Sequence, residues 1–99
     1  MHAAIRQGKV KSLQREELVR LVRNEVLPRV KALRGFKAFH FVVSDDGSIT
    51  VLNLFTDAAA AEESNATMLP WIREHLGPLL DGPPSGTTGA VLVSDGSEA

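Results

Sequence analysis

FKAFHFVVSDDGSITVLNLF, residues 36–55, is a pair of short apolar runs joined by a turn, and its reading decides the fold. A strand that packs one side on a core and shows the other to water alternates apolar and polar residues. These runs do not, so the hairpin is apolar on both faces. Asp46 and Gly47 fit a two-residue loop, because both central positions of the commonest hairpin turn need positive φ. That register sets Asp45 opposite Ser48, Val43 opposite Thr50, Phe41 opposite Leu52 and Phe39 opposite Leu54. In the alternate rows Val42 meets Val51, Ala38 meets Phe55 and His40 meets Asn53. One face then carries Phe36, Ala38, Val42, Ile49, Val51 and Phe55; the other carries Phe39, Phe41, Val43, Leu52 and Leu54.

Working outward, Leu18, Val22, Val26, Val30 and Leu33 recur every three or four residues and predict an amphipathic helix before the hairpin. Ser12 is placed as its cap, Pro28 predicts a kink, and Gly35 ends it in the left-handed conformation. His2 to Val10 reads as a strand ahead of that helix. After the hairpin, Thr56 or Asp57 caps a second helix with Ala61, Asn65, Met68, Ile72, Leu76 and Leu79 on one face. Pro70 predicts a kink or restart there. DGPPSG reads as a loop and TTGAVLVSD as a closing strand.

The order strand, helix, strand, strand, helix, strand is that of an α+β, ferredoxin-like βαββαβ domain: a four-stranded antiparallel sheet with two helices on one face. Two such helices cover one face only. Leaving the other in water would forgo about 1.5–3 kcal/mol for each large apolar side chain. A second copy of the chain is therefore the expected cover, since a two-fold dimer sets one patch against itself.

Composition fits that reading and narrows the chemistry. The chain has 99 residues, enough for one domain, with 43% hydrophobic and 23% charged residues and a net charge of −1. It has no cysteine, so disulfides, thiolate nucleophiles and zinc–thiolate sites are excluded. His2, His40 and His75 show no metal-ligand spacing, so no metal or other cofactor is expected. There is no apolar run of the length a bilayer needs and no signal-peptide core at the start; the expectation is a cytoplasmic protein with no membrane partner. Residues 1–37 sum to +7 and the rest to −8. Without interleaved aromatics this asymmetry is read as complementarity between neighbouring helices and across a dimer, with no nucleic-acid partner.

Polar residues within apolar patterns are the candidate chemistry. His40 and Asn53, opposite each other in the register above, can serve as a base toward a phenolic or enolic group and its orienting amide, or satisfy each other. Asn65 lies mid-stripe on the second helix, where its amide can meet a ligand oxygen or tie down backbone near Pro70. Trp71 and His75, four residues apart, can flank a planar ligand, or serve as packing and as a helix-end histidine. Arg6, on the first strand, can hold an anion or developing oxyanion, or form an ordinary salt bridge. His40 and His75 are thus the candidate catalytic groups, and Arg6, Asn53, Asn65 and Trp71 the candidate ligand contacts.

The run from the first strand through RGFKAFHF, then LFTDAAAAEESNATMLPWI and the closing strand, resembles the antibiotic-biosynthesis-monooxygenase-like proteins of the dimeric α+β barrel superfamily. Leu27, Pro28, Gly35 and Phe36 carry the resemblance, with Phe55, Asp57, Ala61, Ser64, Asn65 and Trp71. It implies one domain over residues 1–93, a polar tail over 94–99, and a homodimer formed through the sheet. It also implies a monooxygenase-like role, as a cofactor-free oxygenase acting on an aromatic or quinol-like small molecule. The alternative is a non-catalytic homodimer that binds a hydrophobic metabolite or serves as an assembly module, with haem degradation as a third option. Haem-degrading relatives use an asparagine on the first strand, whereas the first asparagine here is Asn24, in the first helix. Oxygenase relatives place tyrosine beside asparagine, tryptophan and arginine, and this chain has no tyrosine. A pocket of several hundred Å3 beneath the second helix, lined by His75, Trp71 and Asn65, would favour the enzyme; tight packing there would favour the alternative.

Overall fold

The computed structural model describes residues 1–96. Its strands are β1 (His2–Lys9), β2 (Phe36–Val43), β3 (Ser48–Phe55) and β4 (Ser85–Ala90). They form one antiparallel sheet in the order β2-β3-β1-β4, the ferredoxin-like arrangement expected from the element order. The first helical segment runs from α1 (Arg15–Leu21) through a π-helical turn (Val22–Val26) into α2 (Leu27–Lys31). The second is α3 (Ala58–Leu76), followed by a 3-10 turn at Gly77–Leu79. Leu18, Val22, Val26 and Val30 from the first, and Ala61, Met68, Ile72 and Leu76 from α3, join Ala4, Ile49, Val51 and Phe55 in one core. Both helices therefore cover the same face of the sheet.

The hairpin register differs from the expected one. Ser44 and Ser48 close a three-residue loop, Asp45 to Gly47: the Ser44 N–H donates to the Ser48 carbonyl at 2.8 Å and the Gly47 N–H to the Ser44 carbonyl at 2.9 Å. Gly47 takes φ +89°, so the loop is a turn followed by a left-handed residue. One extra loop residue shifts the pairing by one and exchanges faces. Val43 pairs with Ile49, Phe41 with Val51, Phe39 with Asn53, and His40 with Leu52. The expected His40–Asn53 pair is thus overturned. A bulge at Lys37 restores Phe36 to the helix-covered side, opposite Phe55, where the two rings meet edge to face at 6.2 Å. The helix side holds Phe36, Phe39, Phe41, Val43, Ile49, Val51 and Phe55, a mixture of the two expected sets.

The helices correct other expectations. Gln14, not Ser12, precedes the first helix, without a side-chain cap. The buried stripe advances in steps of four, which on an α-helix of 3.6 residues per turn drifts by about 40° a step. The π turn takes up that drift just ahead of Pro28; its Val22 carbonyl accepts from the Leu27 N–H, five residues on. Pro28 lies inside a helical run continuous from Arg15 to Lys31, and the wider turn just before it accommodates the donor it lacks. Asp57 caps α3 as expected, its carboxylate accepting from the Ala60 N–H at 2.8 Å. The helix then continues through Pro70 without a break. β4 begins and ends earlier than expected, leaving Val91 to Val93 outside the strand. Of the expected polar tail, Ser97 to Ala99 lie outside the described residues.

The sheet's other face, formed by the alternate residues, carries Ala3, Ile5, Ala38, His40, Val42, Leu52 and Leu54. Its exposure is uneven: Val42 is 54% exposed and His40 is exposed, Ile5, Ala38 and Leu52 are half-buried, and Ala3 and Leu54 are buried. No helix among the described residues is long and apolar enough to cross a membrane.

Candidate functional site

Arg6 occupies the middle of β1 on the helix-covered face, between Val51 of β3 and Gly86 of β4. It is only 2% exposed. An arginine reaches such a position only if its donors find acceptors. Here they come from two elements. Nη1 donates to Asn65 Oδ1 at 3.1 Å and more weakly to Ser64 Oγ at 3.4 Å, both on α3, and Nη2 donates to Asn53 Oδ1 on β3. Asn65 is fixed in turn, its Nδ2 donating to the Thr87 carbonyl of β4 at 2.9 Å. Gly86 permits that close approach. A Cβ there would lie 2.8 Å from Leu69 Cδ1 and 3.2 Å from Asn65 Nδ2.

No carboxylate answers this cation among the described residues; the ion pairs lie elsewhere, on the surface. Burial lowers the Arg6 guanidinium to about 10, so it remains charged at neutral pH. Two buried donors also have no partner: Arg6 Nε and Asn53 Nδ2. Each orphaned donor costs on the order of 1–3 kcal/mol, and a buried charge without a counter-charge costs more. Both deficits have one sign. They call for an acceptor, and most of all for an anion.

Arg6 lines a cavity of about 50 Å3 between sheet and helices, walled, apart from Gln7, by residues without polar side chains such as Val22, Val26, Phe41, Val51 and Ile72. Val22 and Val26 belong to the π turn. On the outer side, Val22, Phe39 and Phe41 also border an open groove of about 340 Å3 between the first helix and the β2 edge. Val22, Phe39 and Phe41 stand between groove and cavity; at about 50 Å3 the cavity has room for an atom or two beside Arg6 and not for an aromatic ring. No group of three or more His, Asp or Glu residues placed to hold a metal ion occurs among the described residues.

The structure brings together Arg6, Asn53 and Asn65 and separates the other candidates from them. His40 is exposed on the opposite face of the sheet. Trp71 and His75 stack on each other at 4.4 Å, and the His75 Nδ1–H donates to the Trp71 carbonyl at 2.9 Å. The Arg29 guanidinium lies 4.5 Å from the centre of a Trp71 ring. His75 is exposed and neither ring lines the cavity, so the pocket anticipated around Trp71, His75 and Asn65 does not form. Ser64 is the polar contact that sequence reading left out of the site. Its signals are its place among the residues that carry the resemblance and its spacing on the buried stripe of α3, three residues after Ala61 and four before Met68.

No family model and no curated protein matches the sequence. Solved structures do match the fold. Rv0793 from Mycobacterium tuberculosis is 22% identical, with 96% of this chain and 98% of that one covered and a TM-score of 0.72. The ActVA-Orf6 monooxygenase of Streptomyces coelicolor, solved with nanaomycin D, is 24% identical over 94% of this chain and 92% of its own, with a TM-score of 0.70. A variant of MhuD with two manganese protoporphyrins bound per active site is 19% identical over 98% and 100%, with a TM-score of 0.73. At these identities the likeness is one of fold. The chain has the fold of solved structures described as antibiotic biosynthesis monooxygenases, among them one from Nitrosomonas europaea, 18% identical over 94% of this chain and 100% of that one with a TM-score of 0.74.

Proposed function

We propose that the protein is a monooxygenase-like homodimer that holds an aromatic, quinol-like molecule as its anion, with the ionised oxygen against Arg6. One observation carries this reading: a buried guanidinium with no carboxylate partner and a free Nε, beside a second free donor on Asn53. A fixed positive charge in a dry site lowers the pKa of a phenol bound there, because it favours the charged form. No histidine base is then needed to produce the phenolate, which is the form that passes an electron to dioxygen directly. Asn65 and Ser64 hold Arg6 in place and Asn53 supplies a second donor. A homodimer through the exposed sheet face leaves this site untouched, since the site lies on the other side.

The test is optical. 4-Nitrophenol titrated with and without excess protein should ionise at lower pH when bound, and Arg6→Met should abolish the shift while the variant stays folded. An unshifted or raised pKa would contradict the reading. Oxygen uptake with a panel of hydroquinones then separates catalysis from binding. The absence of any His, Asp or Glu from the cavity lining favours the non-catalytic alternative, a metabolite-binding homodimer. A flat oxygen trace with intact nitrophenol binding would select it.

A further inference from the structure

The groove outside the cavity has a charge pattern that the Arg6 site does not explain. Its floor and walls are apolar, with Phe39 and Phe41 of β2 facing Val22 and Leu27 of the first helix. Two arginines also line it, Arg15 and Arg23. Two of the four arginines of the first helix have a carboxylate: Arg20 pairs with Glu17 at 2.6 Å and Arg29 with Glu25 at 3.1 Å. Arg15 and Arg23 have none among the described residues. Arg15 makes only a weak contact to the Val43 carbonyl at 3.4 Å, at the same edge of the groove.

The acidic side chains of α1 are thus not used to neutralise the groove. Arg15 and Arg23 both border the groove, where the first helix is turned toward β2. A volume of about 340 Å3 is that of a small-molecule site and far below what a folded partner occupies. Guanidinium groups recognise carboxylates and sulfonates through paired N–H donors, and aromatic walls suit a flat ring.

We infer that this groove binds the outer end of an aromatic acid: a planar molecule whose carboxylate or similar anionic group stands between Arg15 and Arg23 while its ring lies on Phe39 and Phe41. This rests on the Arg6 reading and extends it, because Val22, Phe39 and Phe41 border both groove and cavity. The ligand class becomes a hydroxylated aromatic acid, with its ionisable hydroxyl inward and its permanent anion outward. Phenols lacking the acid should bind weakly.

Two fluorescent probes of similar ring size separate charge from ring: 1-anilinonaphthalene-8-sulfonate, which is anionic, and N-phenyl-1-naphthylamine, which is neutral. The double variant Arg15→Gln, Arg23→Gln should bind the sulfonate about tenfold more weakly, the expected scale for losing two charge-assisted contacts from exposed arginines. The neutral probe should change by less than about twofold, and lysine at both positions should restore part of the sulfonate affinity. Unchanged sulfonate affinity in the glutamine variant, equal loss for both probes, or no binding by the native protein would each overturn the inference. The nitrophenol shift at Arg6 is read separately. Its survival alongside unchanged sulfonate binding would fail the groove and spare the inner site, whereas its absence alongside the tenfold loss would do the reverse.

Discussion

The orphaned donors of Arg6 and Asn53 make the site asymmetric in a way that single substitutions should expose. Asn53→Leu removes the Nη2 acceptor and strands a buried charge; we expect a loss of about 2–3 kcal/mol in urea unfolding, the range for a hydrogen bond to a charged group. Arg6→Met removes the charge itself and leaves only neutral carbonyl and hydroxyl oxygens short of a donor, so it should cost less than Asn53→Leu. The reverse order would show that the cation is structural. The pH dependence follows the same sign. With its folded value lowered by burial to about 10, Arg6 disfavours the folded state at all lower pH, and that penalty is relieved as pH rises above 10. Asp57 behaves oppositely. Its carboxyl is lowered by the Ala60 N–H and by Arg34, so its contribution is lost as pH falls through its folded value, on the acid side of 3.8. At this scale the sequence was informative about Arg6, Asn53 and Asn65, because a polar residue inside an apolar period marks itself. It was silent about which of them meet, since partners 47 and 59 residues apart depend on register and helix placement.

Among the elements, the loop at Asp45 to Gly47 shows where legibility ended. An Asp-Gly pair suits both a two-residue loop and the last two places of a three-residue one. The choice shifts parity, and with parity went the His40–Asn53 pair and the grouping of the two faces. Asp46 also accepts from the Ser48 N–H at 2.9 Å, which stabilises the longer loop through a contact that spacing alone does not reveal. The order of strands and helices was legible because it depends on periods of 2 and 3.6 that survive a slip of one residue. The π turn was not, since its only trace was a strict four-residue spacing that resembles an ordinary amphipathic helix. Glycine placement yields a prediction here. Gly35 sits at φ +77°, and a Cβ would lie 2.5 Å from Thr56 Oγ1 and 3.1 Å from Ala60 Cβ. Gly35→Ala should therefore cost about 2–4 kcal/mol, combining left-handed strain with overpacking. Gly47→Ala, at φ +89° with its nearest contact at 3.2 Å, should cost about 1–2 kcal/mol by thermal or urea unfolding.

The whole molecule is a sheet with two unlike faces. One is covered by the protomer's own helices and holds the Arg6 cluster; the other presents half-buried Ile5, Ala38 and Leu52 with exposed Val42. The opening hairpin is apolar on both sides because its two faces need different partners, and the proposal is that a second copy supplies the outer one. Leu52, central in the row Ile5–Leu52–His40, is the position where a charge would interfere most. Sedimentation equilibrium at micromolar concentration tests this most directly: the native chain should run at twice its 10.7 kDa mass and Leu52→Asp at once that mass, folded. A native protein that remains a stable, folded protomer at that concentration would contradict it.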